Sequence, residues 1–319
     1  MPTVDVHHHI LPDFFWRETN EQHGPVGGIA PPPWSRESAL AFMDDAAIDV
    51  AVTSISTPGV HTGSDRRARS LARRCNELAA ELVQARPDRF GAFACLPLPD
   101  IDGSFAELSY ALDVLKVDGI VLFSNARGVY LGDEKFDAIF GELERRRAVV
   151  FVHPTASTDR AAHALGLPDS LIDFVADTSR AIAHLHYSNT FARTPNVKYI
   201  FSHAGGTIPY LASRFAVVDE MGVIDGGGER ATAADTFRRL YWDIALSWHD
   251  PVLQLLRSVV GIDQVLYGTD FPYLRRDLAI GNREHLAQTD ALSDAERAVV
   301  LGESALQLLP RIHQQRMSR

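Results

Sequence analysis

Five polar side chains fall where they could do metal-assisted chemistry: His7 and His9 in "DVHHH", His153 in "FVHPT", His203 in "FSHAGG" and Asp270 in "YGTDFPY". Residues i and i+2 of a strand point the same way, so His7 and His9 would present two imidazoles together while His8 faces away. A set rich in imidazole and closed by one carboxylate suits Zn²⁺, and also Mn²⁺ or Fe²⁺. His203 is a fifth polar group, either a ligand or a general acid–base. A divalent ion held there would chelate and polarise an anionic substrate, or lower the pKa of a bound water to about 7. Taken one at a time these residues have plainer readings. His153 could cap a helix or sit in the core, "SHAGG" could be a turn, Asp270 could be an N-cap, and "HHH" could be a tag scar.

What joins them is position. Short apolar, β-branched runs recur along the chain at 3–7, 49–55, 90–96, 119–123, 148–153, 198–203, 240–244 and 264–268. Amphipathic stretches with helical period lie between them, at 66–85, 104–116 and 135–147. The runs are nearly continuous in apolar residues, as in parallel strands covered on both faces. Eight strands alternating with helices predict an α/β fold, a (β/α)8 TIM barrel, in one domain over 1–319. The Pro/Gly-rich stretch 23–35 reads as a long loop insertion after the first strand, and "DGGGER" (225–230) as a flexible point. A doubly wound sheet is the competing architecture, but no G-x-G-x-x-G follows the first strand. In a barrel, catalytic groups project from the C-terminal ends of the strands, which is where the five residues lie.

The bulk composition narrows the function class. The net charge of −10 and pI near 5.7 argue against nucleic acid or an anionic membrane as partner. Two cysteines, Cys75 and Cys95, make no disulfide framework and suit a reducing, cytoplasmic setting. The N-terminal stretch lacks the basic and apolar regions of a signal peptide, and no apolar run suggests a membrane span.

"DVHHH", "VFVHP", "SHAGGTIPYL" and "YGTDFPY", in this order and spacing, resemble the amidohydrolase superfamily, and more narrowly its metal-dependent decarboxylase branch. That branch includes aminocarboxymuconate-semialdehyde, γ-resorcylate and 5-carboxyvanillate decarboxylases. "PPPWS", "STPGVHTG", "CNELAAELVQARPDRFGAFACLPLPD" and "YLGDEKF" look most like 6-methylsalicylate decarboxylases. The resemblance implies that His7, His9, His153 and Asp270 hold one divalent metal ion, zinc first and manganese as the alternative. It makes Asp270 and His203 the catalytic pair, with Asp270 delivering a proton to the ring carbon and His203 polarising or relaying it. The bridging lysine or glutamate of dinuclear relatives is replaced by Ser124 and Asn125, which favours one ion over two. Arg214, eleven residues past His203, has the spacing of an arginine that in some relatives reaches a neighbouring subunit's substrate. It could equally be a solvated helix arginine.

The implied reaction is non-oxidative decarboxylation of a small ortho-hydroxyaryl carboxylate, such as 6-methylsalicylate to 3-methylphenol and CO2, in a homodimer or homotetramer. A metal-dependent lactone or amide hydrolase is the alternative, because it needs the same ligands. His61, on the loop after the second strand, is a candidate substrate contact. So are Trp16 on the first loop and Phe271 beside Asp270. Phe14, Phe15, Trp34 and Tyr273 could wall the same pocket. His8 is expected to pack under the first loop without a chemical role.

Overall fold

The computed structural model describes residues 2–20, 29–30, 32–156, 165–224 and 231–317. Eight parallel strands form its centre: β1 (Val4–His9), β2 (Val50–Ser54), β3 (Phe90–Cys95), β4 (Gly119–Phe123), β5 (Val149–His153), β6 (Lys198–Phe201), β7 (Tyr241–Asp243) and β8 (Val265–Leu266). Each pairs with the next in chain order. The sheet closes where the ends of the chain meet. Val6 N–H donates to Tyr267 O (3.0 Å), Asp270 N–H to His7 O (2.9 Å) and His9 N–H to Phe271 O (2.7 Å). A closed ring has no unpaired edge, and with helices outside and packed side chains within, every strand can be apolar on both faces.

The helices that sheath the barrel include α1 (Asp13–Asn20), α2 (Arg36–Asp45), α3 (Asp65–Ala85), α4 (Ile101–Ser109), α5 (Asp137–Arg146), α6 (Asp173–Tyr187), α7 (Ile208–Met221), α8 (Asp250–Val259) and α9 (Arg276–Gln288). In α3 the buried positions Ala68, Leu71, Ala72, Cys75, Ala79 and Leu82 recur at three and four residues, which is the stripe a helix needs to lie on a sheet. Asn76 in that stripe grips β3, donating to Cys95 O (2.9 Å) and accepting from Cys95 N–H (2.8 Å). Ser35 opens α2 with a capping box shared with Ser38, so two orphan backbone donors are satisfied at its first turn.

Two expectations need correcting or bounding. Residues 13–20 are helical, where an unstructured first loop was expected. Phe15 is fully buried in the core there, and Trp16 packs on it edge to face at 5.2 Å. Apolar residues at 14–16 give α1 a face to bury, which outweighs the loop signals downstream. Most of the stretch 23–35, and all of 225–230, lies outside the described residues. Among the described residues no helix is long and apolar enough to cross a membrane.

Candidate active site

The barrel interior below the site is packed with aromatic rings. Phe93 and Phe151 stack at 5.6 Å, and the Phe151 ring lies 5.0 Å from His7. On this layer stand the four expected ligands. His7 and His9 come from β1, His153 from the last residue of β5, and Asp270 from just after β8. All four are buried. Their candidate ligand atoms lie within 4.8 Å of one another.

The hydrogen bonds at the outer ring nitrogens fix which lone pairs face inward. His7 Nδ1 meets Asp243 Oδ2 at 2.9 Å, His9 Nδ1 meets Ser54 O at 3.4 Å, and His153 Nδ1 meets Pro154 O at 2.8 Å. Asp243 and the two carbonyls are acceptors, and the Ser54 hydroxyl 3.2 Å from His9 Nδ1 can accept as well, so each imidazole can carry its N–H on that side. That leaves Nε2 of each ring facing the centre, where His7 keeps a second proton until a metal ion displaces it. There His7 Nε2 and His9 Nε2 are 3.1 Å apart, and Asp270 Oδ1 is 3.3 and 3.2 Å from them. Asp270 Oδ1 is buried and receives no hydrogen bond. Lone pairs facing one another at this range repel unless a cation lies between them. A tetrahedron with bonds of about 2.0–2.1 Å has edges of about 3.3–3.4 Å, close to the separations seen. The donor set fits one divalent ion.

The same field acts on protons. Burial opposes charge on His7, but the carboxylates of Asp243 and Asp270 outweigh it and hold the ring up at about 10. Burial lowers His9, and burial together with the neighbouring imidazoles lowers His153 well below the ordinary histidine value. Burial would raise Asp270, yet the charge on His7 and the closeness of the His7 and His9 rings pull it well below the usual carboxylate range.

His203 follows β6 and stands 4.9 Å from His7, ring to ring. Its Nδ1–H donates to Ala245 O (3.1 Å), and burial lowers its pKa, so its Nε2 is a bare acceptor facing the same space. The "SHAGG" turn is shaped by close packing. A side chain at Gly205 would overlap the Trp242 ring, and one at Gly206 would strike the backbone of Val175 on α6. His203, Leu246 and Asp270 all have left-handed backbones, with φ of 53, 56 and 59°. Non-glycine residues pay about 1–2 kcal/mol for that conformation. Such strain clusters at sites where the surrounding fold fixes a side chain.

Asp243, at the end of β7, was missed. It is fully buried and accepts from His7, from His203 N–H (3.1 Å) and from Ala245 N–H (2.9 Å), tying His7 to His203. Its one sequence signal is an aspartate ending the apolar run "LYWDI". Asp5 was also missed. It accepts from Thr269 Oγ1–H (2.6 Å), Thr269 N–H and the His8 ring, and so braces the barrel seam. His8 faces outward as expected, stacked on Phe271 at 4.5 Å.

A cavity of about 530 Å³ opens above the ligands. His153, His203 and Asp270 form its floor, and Leu171, Phe174, Leu246 and Tyr273 are among its walls. The Tyr273 hydroxyl is buried and faces Ser56 without a hydrogen bond of ordinary geometry.

The expected substrate contacts fare less well. Phe271 is sandwiched between His8 and Phe42, both at 4.5 Å, and points away from the cavity. The left-handed turn at Asp270 breaks strand alternation, so Tyr273 takes the inward place. Trp16 is half-buried against the core and does not line the cavity. His61 lines a neighbouring cavity instead, with its ring held by Asp65 (2.8 Å). Arg214 is exposed on α7 and reaches nothing in its own chain's site. Ser124 and Asn125 hydrogen-bond the buried Asp177 of α6 and hold nothing at the metal position.

Residues 4–311 match the amidohydrolase family. The chain belongs to that family. This amidohydrolase is 38% identical over 288 residues to a decarboxylase of Penicillium terrestre, covering 86% of this chain and 85% of that one. It is 36% identical to a 6-methylsalicylic acid decarboxylase of Aspergillus aculeatus, covering 97% and 96%. Its fold superimposes on a 5-carboxyvanillate decarboxylase of Novosphingobium aromaticivorans with a TM-score of 0.84 at 22% identity, over 96% and 95% of the two chains. That protein was crystallised with manganese and 4-hydroxy-3-methoxy-5-nitrobenzoic acid.

Proposed function

We propose that this amidohydrolase is a metal-dependent, non-oxidative decarboxylase of an ortho-hydroxyaryl carboxylate such as 6-methylsalicylate, releasing 3-methylphenol and CO2. The observation that carries this reading is the convergence of three imidazole Nε2 atoms and one unbonded carboxylate oxygen beneath an apolar-walled cavity. His7, His9, His153 and Asp270 would hold one divalent ion, with zinc proposed first because the donors are mostly imidazole and spaced for a tetrahedron. When bound, the ion would supply a Lewis acid that neutralises the substrate's carboxylate and phenolate oxygens.

The chain's own residues would handle the proton. Losing CO2 directly would leave an aryl anion, so the ring carbon bearing the carboxylate must be protonated first. Neither Asp270 nor His203 carries a spare proton in the resting site. The substrate's ortho hydroxyl is therefore the source, and Asp270 accepts that proton and passes it to the ring carbon. The C–C bond then breaks, its electron pair restores the aromatic ring, CO2 departs and the phenolate regains a proton from solvent. His203 Nε2, held by the Ala245 carbonyl, is placed to polarise the hydroxyl or relay the proton. Leu171, Phe174 and Leu246 exclude water and pack the ring and its methyl group.

A homodimer or homotetramer is part of the same reading. Arg214 shares α7 with the exposed apolar residues Tyr210, Val217 and Met221, a face suited to burial against a second copy. Two buried free cysteines agree with a reducing, cytoplasmic setting.

The test is to incubate metal-loaded protein with 6-methylsalicylate and follow 3-methylphenol by chromatography, with His9→Ala alongside. Product from the parent alone supports the reaction and the metal site together. No product from a protein with confirmed metal would sink the substrate assignment and direct attention to lactones and amides.

A further inference from the structure

A second cavity, of about 360 Å³, lies beside the first at the C-terminal end of β3 and β4. Leu96, Leu98, Val121 and Phe123 give it an apolar interior, and Arg127 stands in its lining with His61. The two cavities share a wall. Thr57 lines the metal cavity and Thr155 lines the second, and their hydroxyls hydrogen-bond at 2.8 Å. Phe123 reinforces that wall, with its ring 6.1 Å from the His153 ring.

Arg127 is the unusual residue. It occupies the tip of a small hairpin formed by Asn125–Ala126 and Val129–Tyr130, with φ of 52° and Gly128 behind it at 85°. Two left-handed residues in a two-residue turn make a type I′ turn, where asparagine or glycine is the ordinary occupant of the first place. The hairpin is braced. Asn125 Oδ1 accepts from Gly128 N–H (2.9 Å), while Asn125 and Tyr130 both donate to the buried Asp177. Among the described residues Arg127 has no acidic partner and no hydrogen bond. His61 is fully used, with Nε2 on Asp65 and Nδ1 accepting from Gly63 N–H (3.3 Å). Among the described residues, then, a guanidinium without an acidic partner, carried on a braced hairpin, stands at the edge of an apolar chamber.

We propose that this cavity is a second binding site for a small monocarboxylic acid with an apolar, ring-sized body. The guanidinium takes the carboxylate in a fork. The chamber buries the body, at a size within the range of small-ligand pockets of about 300–1,000 Å³. No metal-chelating hydroxyl is needed, so the site is open to aryl and branched alkyl acids alike. Its existence does not depend on the reaction assigned to the metal cavity. Because the wall carries Thr57 and backs onto His153, occupancy would be felt at the metal cavity.

Benzoate is the probe, since it has the carboxylate and the ring but no ortho hydroxyl. Isothermal titration of metal-loaded protein should show benzoate binding that Arg127→Gly weakens tenfold or more. That variant relieves the left-handed strain, so its thermal midpoint should hold or rise while metal content stays full. A folding defect is thereby separated from a binding defect. Val60→Phe should also weaken binding by filling the chamber. Crystals soaked in 4-bromobenzoate should show an anomalous bromine signal between Leu98 and Phe123. Benzoate affinity unchanged in both variants, or bromine found only above His153 and Asp270, would overturn the proposal.

Discussion

Replacing Asp243 by asparagine probes the arrangement that holds the first ligand. The substitution preserves size, and the asparagine oxygen can still accept from the backbone N–H groups of His203 and Ala245. Its amide NH2 then faces His7 Nδ1–H, donor against donor, where the carboxylate oxygen lies at 2.9 Å in the parent. To avoid the clash His7 must move its proton to Nε2, which is the lone pair a metal ion needs. Loss of such an outer partner costs about 10–100-fold in metal affinity, or about 1.4–2.7 kcal/mol.

The pH dependence is the sharper readout. In the parent, His7 is held up at about 10, so the metal-free site keeps a proton there through neutrality. Metal binding must expel it, and affinity should rise about tenfold per pH unit between pH 7 and 9. Removing the carboxylate lets His7 fall toward its ordinary value of about 6.5, so the variant's affinity should level off above neutrality. Weaker proton competition offsets part of the loss. A doubly charged ion nevertheless feels the missing carboxylate more than a proton does, and the net effect is weaker binding. Competition titrations against a chelator at pH 6, 7, 8 and 9 measure both quantities. A variant with the parent's affinity and slope would refute the idea that Asp243 sets the tautomer and charge of His7.

Three further outcomes follow from the same geometry. The stability of chelator-stripped protein should peak near neutrality. The raised His7 contributes below about 6.5 and loses its contribution as pH climbs toward 10, whereas the lowered His9, His153 and His203 lose theirs as pH falls below about 6.5. Denaturant midpoints that rise steadily from pH 6 to 9 would contradict this. Gly205→Ala places a methyl group into the Trp242 ring at a φ of 68° and should cost about 3 kcal/mol or prevent folding, while an unchanged urea midpoint would refute that packing. Phe271→Ala should lower stability by about 3–5 kcal/mol with KM little changed, and Tyr273→Phe should raise KM at undiminished stability. The reverse pattern would restore Phe271 to the substrate wall.

The strand ends were legible because each is a near-continuous apolar run stopped by a polar residue, and because period-two alternation separates His7 and His9 from His8. Ser54, Asp243 and the Ala245 carbonyl were not legible as partners of the histidines. They belong to different strands, and only barrel closure brings them together. The walls were the least readable part. Phe14, Phe15 and Trp16 looked like a pocket and became a helix packed on the core. Phe271 looked like Asp270's companion, but neighbouring residues of an extended segment face opposite ways, and it stacks on His8 instead. His61 was picked for its loop and proved to fasten that loop to Asp65.

The seam of the barrel has a consequence for how the protein is made. His7 and Thr269 are 262 positions apart, yet they touch across the seam beside Asp270, which closes the ring and would complete the proposed ligand set. A chain emerging from the ribosome would display these two histidines long before the carboxylate arrived, because seven further strands separate them. Until then the nascent β1 can offer only a weak two-nitrogen foothold to any ion. On the proposed ligand set, full-strength metal capture would therefore report that the last strand has docked, and the ion would act as a clasp joining the first and last strands of the barrel.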